Sequence, residues 1–292
     1  MSPVVTLPAF RIAVSVLFFG GLCLFAASDA LAGKPVYVGG NVPAERRVSM
    51  DRYDHAAWDA LLTKYVDTAG NVDYTAWKRS PEDIRALEGY LGSLSYAGRG
   101  IRASREATMA YWINAYNAVT VKGILREYPT SSIRNHTSKA FGYNIWKDLQ
   151  LVVDGAGISL EDIEHKVLRK MNEPRIHFAI VCASKSCPRL LNRAYTARDL
   201  EKQLSTSTRA FFASGANFRY DAGSGKMQLS TILKWFASDF GSDQAAQLKA
   251  IARYLPSEEA RQAANSGRVR VSYLDYDWGL NDQATARRNA RR

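Results

Sequence analysis

An α+β fold, a helix-rich domain packed on a small mixed or antiparallel sheet, follows from three features of the sequence. Helical periodicity with well-placed caps dominates residues 51–171. Short β-branched or apolar runs, bounded by Asp-Gly and Gly-Ser turns, recur from residue 149 onward. No break in composition divides residues 51–282, so a single domain is expected there. Of the 292 residues, 47% are hydrophobic and 23% charged, which is ordinary globular usage and excludes a disordered or collagen-like chain. The net charge is +11, and Arg287, Arg288, Arg291 and Arg292 carry part of it in a short tail. The remaining body is mildly basic and has no nucleic-acid signature, so no specific nucleic-acid partner is expected.

Taken in order, residues 1–32 read as a secretory signal peptide. Arg11 precedes an apolar run from Ile12 to Ala27, and Ala30-Leu31-Ala32 before Gly33 is a small-x-small cleavage pattern. The apolar core is too short to span a bilayer comfortably, and no later stretch is long enough, so a periplasmic or secreted protein without a membrane span is expected after cleavage. Residues 33–50, with Gly39-Gly40, Pro35 and Pro43, read as a loose leader. Helices are predicted over Tyr53–Tyr65, from Pro81 to Leu94 with proline in the first turn, and from a Ser104 cap to Glu127, ended by Pro129. A strand at Leu149–Val153 runs into the turn Asp154-Gly155. Ser159 with Asp162 resembles a capping box opening a helix to Met171. Arg175–Ala183 reads as a strand. Asn217–Tyr220 and Met227–Leu229 read as a hairpin, followed by helices over Thr231–Phe240 and Gln244–Tyr254 and a last strand at Val269–Tyr273. The Arg-rich residues 283–292 read as a basic, disordered tail.

Loss of the leader removes Cys23 and leaves Cys182 and Cys187. Their C-x4-C spacing is neither the redox C-x-x-C nor a zinc pattern. In an oxidising compartment they are expected to pair as a disulfide, because the turn Ala183–Ser186 can bring their Cα atoms within the ~4.4–6.8 Å such a bond requires.

Three constellations bear on chemistry. In the long helix, Asn114, Asn117 and Thr120 are spaced by three and form one polar stripe on an otherwise apolar cylinder, with Tyr116 beside it. Such amides either clamp a neighbouring backbone or floor a binding pocket. On the helix from Leu160, Glu164 falls near the centre of the apolar face, where a carboxylate must be ion-paired or serve as a general acid/base with a raised pKa. In the run Arg175–Pro188, His177 is either a satisfied core histidine or a catalytic base, and Cys182 a candidate nucleophile. If the segment is a regular strand, however, the two point to opposite faces. A zinc site from His165, His177 and the cysteines has no supporting spacing, so neither metal nor cofactor is expected.

The strings Val72-Asp-Tyr-Thr-Ala-Trp77, Tyr111-Trp-Ile-Asn-Ala-Tyr-Asn-Ala118, Ile176-His-Phe-Ala-Ile-Val-Cys-Ala-Ser-Lys-Ser-Cys-Pro188, Leu233-Lys-Trp-Phe236 and Ser272-Tyr-Leu-Asp-Tyr-Asp-Trp278 together resemble the domain of unknown function family numbered 547. The resemblance covers most of residues 72–280 and implies no activity, so every role above rests on the residues themselves. Two function classes follow. One is an exported binding module, or a cysteine-independent activity, recognising an envelope, peptide or glycan ligand. The other is a cysteine/histidine-dependent hydrolase or acyl transferase acting on an envelope or peptide-like substrate. The state of the two cysteines discriminates them, since a closed disulfide removes the nucleophile.

Overall fold

One long helix organises the molecule. The computed structural model describes residues 34–138 and 143–290. In chain order the elements are β1 (Val36–Val38), α1 (Ala56–Tyr65), α2 (Tyr74–Lys78), α3 (Pro81–Leu94), α4 (Arg105–Glu127), α5 (Ile145–Asp148), β2 (Leu149–Val153), β3 (Ala156–Ser159) and α6 (Leu160–Asp162). These are followed by α7 (Leu200–Ala213), β4 (Phe218–Asp221), β5 (Lys226–Ser230), α8 (Ile232–Trp235), α9 (Ala237–Phe240), α10 (Gln244–Ala252), α11 (Glu258–Ser266), β6 (Arg270–Leu274) and α12 (Gln283–Ala290). The fold is α+β, with two small three-stranded mixed sheets.

The Ser104 side chain accepts from the Ala107 N–H at 3.2 Å and starts α4, which is buried almost all round, Tyr111, Trp112, Ile113 and Val119 included. A helix that is apolar on every side must be surrounded, and this one is. Helices α1 and α3 pack with it in the first core, and β2 lays Leu149, Leu151 and Val153 against it while the alternate residues are half-exposed. Gly123 lets α5 approach, because a Cβ there would collide with the Ile145 side chain. Strand β2 runs parallel to β1, with Leu149 opposite Val36, and antiparallel to β3, with Val153 opposite Ala156 across the turn at Asp154-Gly155. A second core lies under the other sheet, where β5 pairs antiparallel with β4 and parallel with β6, and Phe211, Phe212, Met227 and Leu248 fill the interior. Phe178 belongs to this second core while its near neighbours Ile176 and Ala179 belong to the first, so the segment around residues 176–179 is the seam between them.

The seam is where the structure departs most from the sequence reading. The strand expected over Arg175–Ala183 is a 3-10 helix at Pro174–Phe178 followed by irregular chain. Its Ala179 carbonyl and Val181 N–H bond to the Asn117 side chain of α4 rather than to a sheet. The helix expected to Met171 leaves α geometry after one turn: Ile163–Leu168 is π-helical and Arg169–Met171 is 3-10. The helix expected over Thr231–Phe240 is broken at Phe236 into α8 and α9. At the N-terminal end the supposed loose leader contributes β1. At the other end the supposed disordered tail is helical over Gln283–Ala290. The Gln283 amide donates to the Tyr65 and Asn71 carbonyls at 3.2 and 3.1 Å, tying that helix to the body. The expected signal peptide, residues 1–32, lies outside the described residues.

Candidate functional site

The loop that carries both cysteines is held from two sides. From below, Asn117 donates to the Ala179 carbonyl at 3.0 Å and accepts the Val181 N–H at 2.9 Å; Asn114 makes the same pair of bonds to Tyr195, at 2.8 and 2.9 Å. The amide stripe of α4 is therefore a backbone clamp, and neither asparagine reaches a ligand surface. Thr120, its third member, is buried without a hydrogen-bond partner among the described residues. From above, the segment 277–281 straps the loop: Lys185 N–H to Gly279 O at 2.8 Å, Asn281 N–H to Ala183 O at 3.0 Å, and Asp277 N–H to Ser186 Oγ at 2.8 Å. Ala183 sits at φ +57°, which turns the chain so that Cys187 folds back on Cys182.

Both cysteines are free thiols, so the expected Cys182–Cys187 disulfide is absent from the structure although the two residues are adjacent. Cys187 Sγ lies 2.9 Å from the Cys182 backbone nitrogen. Cys182 Sγ is 3.0 Å from Ser184 Oγ and 3.1 Å from Tyr276 Oη. These hydroxyls and the neighbouring Cys187 thiol bring Cys182 down to about 7, with the Cys187 hydrogen bond the largest influence. Burial drives Cys187 the other way, well above the usual thiol value. One thiol is thus poised to ionise near neutrality and the other is not.

The two cysteines line a cleft of about 200 Å³ with Tyr116, Glu164 and His177, and the aromatic rings of Trp146, Trp235, Phe236, Tyr276 and Trp278 form much of its wall. These residues come from α4, the π turn, the seam, α8 and the strap, brought together where the two cores meet. Among the described residues Glu164 has no ion-pair partner. Burial raises its carboxyl to about 7, against a weaker opposite pull from the Tyr116 hydroxyl, which donates to Oε2 at 3.2 Å. π-Helical turns inside helices often mark functional sites, and this one begins at the residue before Glu164.

His177 is a partly different case. Its ring stacks on Phe236 at 4.0 Å, and its Nε2 meets Asp239 Oδ2 at 2.7 Å. Arg169 grips the same carboxylate with two bonds of 2.6 Å and holds Asp239 down at about 2. An ionised carboxylate only accepts, so Nε2 carries the proton and Nδ1 is left as the acceptor. Burial lowers His177 to about 4, which makes it a neutral ring and a weak base. Of the two candidate bases, Glu164 is the better matched to neutral pH.

A larger concavity, about 580 Å³, lies elsewhere around His55 and Arg193. There the His55 ring is bonded to Tyr90 Oη at 2.8 Å and Arg193 is paired with Asp59 at 2.9 Å, and no thiol is present. Among the described residues no group of three or more His, Cys, Asp or Glu side chains could hold a metal ion. Within the same residues no helix is long and apolar enough to cross a membrane.

Residues 101–212 match the family model described as "Protein of unknown function, DUF547". The DUF547 match is narrower than the span over which the sequence strings resemble the family, but it contains Tyr116, Glu164, His177, Cys182 and Cys187. No curated protein and no solved structure matches the chain. Asp239 and the cleft-wall residues Trp235, Phe236, Tyr276 and Trp278 lie beyond the DUF547 match.

Sequence reasoning singled out Glu164, His177, Cys182 and Tyr116, and all four line the cleft. It missed Ser184, Tyr276, Asp239, Arg169 and the aromatic wall. The strings Leu233–Phe236 and Ser272–Trp278 were the available signal, since they hold Trp235, Phe236, Tyr276 and Trp278. Their spacing along the chain carries no trace of their meeting at Cys182.

Proposed function

We propose that the cleft is the active site of a thiol-dependent acyl hydrolase or acyl transferase, with Cys182 as nucleophile and Glu164 as general acid and base. The observation that supports it is the lining of one small cleft by a thiol and a carboxyl group, each drawn toward neutrality from opposite directions. Groups whose environments move their pKa values this way are how a single fold runs acid and base chemistry near pH 7. The Cys182 thiolate attacks the carbonyl carbon of an ester or amide; the Glu164 carboxylic acid gives its proton to the departing oxygen or nitrogen, and a thioester remains. The Glu164 carboxylate then takes a proton from water or an acceptor alcohol as it attacks the thioester, and the thiolate leaves. His177, held by Asp239 and stacked on Phe236, supports the wall beside this chemistry as a neutral ring.

The alternative is a binding module stiffened by a Cys182–Cys187 disulfide; the acyl reading is favoured over it because both thiols are free in this structure and one of them faces the cleft. Its ligand classes carry over: the ring cluster of Trp235, Tyr276 and Trp278, with Trp235 47% exposed, suits a peptide or glycan portion of an envelope substrate. Incubation with p-nitrophenyl acetate is expected to release a burst of nitrophenolate and to leave an acetyl adduct on Cys182, with no burst from Cys182→Ser. An adduct elsewhere, or a burst undiminished in that variant, overturns the reading. We also propose export, on the Arg11–Ala32 leader. Sequencing the mature N-terminus is expected to begin at Gly33, and a mature protein retaining Cys23 would contradict it.

A further inference from the structure

We infer that Cys182 and Cys187 form a two-thiol centre that reduces hydroperoxides, with Cys182 attacking and Cys187 resolving, and that its oxidised form withdraws the nucleophile from acyl chemistry. The inference rests on the reading of Cys182 as the reactive thiol and goes beyond it in giving Cys187 a chemical part. In the acyl mechanism Cys187 only lowers the neighbouring thiol and makes or breaks no bond.

Three features of the geometry carry it. First, proximity: Cys187 Sγ is 2.9 Å from the Cys182 nitrogen. That nitrogen is about 1.46 Å from its own Cα, so the sulfur of Cys187 lies within about 4.4 Å of the Cys182 Cα, and the turn of the loop has already brought the two residues of a disulfide together. Second, asymmetry: Cys182 faces two hydroxyls and the cleft, whereas Cys187 is buried, so an incoming oxidant meets the more acidic and more accessible thiol first. Third, the Ser184 and Tyr276 hydroxyls, at 3.0 and 3.1 Å from Cys182 Sγ, stand where a peroxide oxygen bound against that sulfur would find hydrogen-bond donors.

The steps balance. The Cys182 thiolate attacks the terminal oxygen of a hydroperoxide; an S–O bond forms, the O–O bond breaks, and the departing alkoxide takes a proton to leave as an alcohol, giving the Cys182 sulfenic acid. The Cys187 thiol gives up its proton and its sulfur attacks that of Cys182. An S–S bond forms, the S–O bond breaks, and the released hydroxide takes up a proton to leave as water. Overall, two thiols and one hydroperoxide give one disulfide, one alcohol and one water. A small dithiol returns the centre to its starting state by thiol–disulfide exchange.

The experiment treats the reduced, folded full-length mature protein with one equivalent of hydrogen peroxide and follows thiols and intact mass. The wild type is expected to lose two thiols and two hydrogens, to lose the nitrophenolate burst in parallel, and to regain both on adding dithiothreitol. Cys187→Ser is expected to stop at one added oxygen that dimedone captures on Cys182, and only with excess peroxide to proceed to irreversible oxidation, more readily than wild type. Two outcomes overturn the inference: thiols that survive the peroxide, or wild-type oxidation that leaves added oxygen on Cys182 in place of a disulfide. Iodoacetamide labelling of the untreated folded protein separates this failure from that of the acyl reading: labelling confined to Cys182 with no disulfide formed leaves the nucleophile intact, whereas an inert Cys182 removes both.

Discussion

At the scale of single residues, the site depends on two groups moved in opposite directions for different reasons. Cys182 is lowered by hydrogen bonds donated to its sulfur, and Glu164 is raised by loss of water. Glu164 makes a testable statement about stability. Its folded-state value, about 7, lies above the 4.5 of a free carboxyl, so the folded protein binds the extra proton between those two limits. The contribution is fully present below 4.5 and is lost as pH rises through 7. Glu164→Gln keeps the shape of the neutral acid and can still accept from Tyr116. Chemical denaturation is expected to find the variant equal to wild type near pH 4 and more stable by about 1–3 kcal/mol at pH 8. A constant difference across that range would mean that Glu164 titrates as an exposed carboxyl.

At the scale of elements, the cysteine loop depends on α4. A chain of mixed apolar and β-branched residues from Arg175 to Ala183 suits a strand, yet here the Ala179 carbonyl and the Val181 N–H are satisfied by Asn117, and Asn114 does the same for Tyr195 further along the chain. A buried amide that supplies both a donor and an acceptor takes the place of a neighbouring strand. Asn117→Ala would leave the Ala179 carbonyl and the Val181 N–H unpaired in the interior. At roughly 1–3 kcal/mol for each such group, denaturant unfolding should show a loss of about 2–5 kcal/mol. A loss under about 0.5 kcal/mol would mean that water or the local backbone replaces the clamp. The failure of strand parity has the same origin. His177 and Cys182 share a cleft because the chain between them is a 3-10 turn and an irregular loop, so an odd spacing no longer places them on opposite faces.

At the scale of the molecule, the cleft lies where two cores meet, and its wall is drawn from residues 116 to 278. Closing that span puts Asn281 and Asp282 against the start of the domain: Asn281 accepts from the Tyr74 hydroxyl at 3.0 Å, and Gln283 and Arg287 reach residues 65–73. The C-terminal helix thus fastens the strap that lies over the cysteine loop. Among the described residues, removing 283–292 deletes the two Gln283 side-chain bonds, the Gln283 N–H bond to the Val72 carbonyl and an exposed ion pair that adds little. A drop in melting temperature of a few degrees is expected, corresponding to about 1–2 kcal/mol. An unchanged melting temperature would return these residues to the status of a solvated tail.

What the sequence determined alone is what depends on neighbours along the chain. The Ser104 cap, the proline at the start of α3, the alternation of Leu149–Val153 and the apolar girth of α4 are all readable because period and capping are local. The α+β class follows from them. So do four of the cleft residues, because Glu164 on an apolar face and His177 and Cys182 in an apolar run are conspicuous by residue type alone. What only the tertiary structure decided is which partner each polar group meets: Asn117 finds backbone, Asp239 finds His177 and Arg169, and Tyr276 finds Cys182, at separations of 62 to 94 residues. The carboxyl of Glu164 owes its shifted titration to burial, and the thiol of Cys182 owes its own to Cys187 and Ser184, brought back by the turn of the loop, and to Tyr276; none of these has a period along the chain.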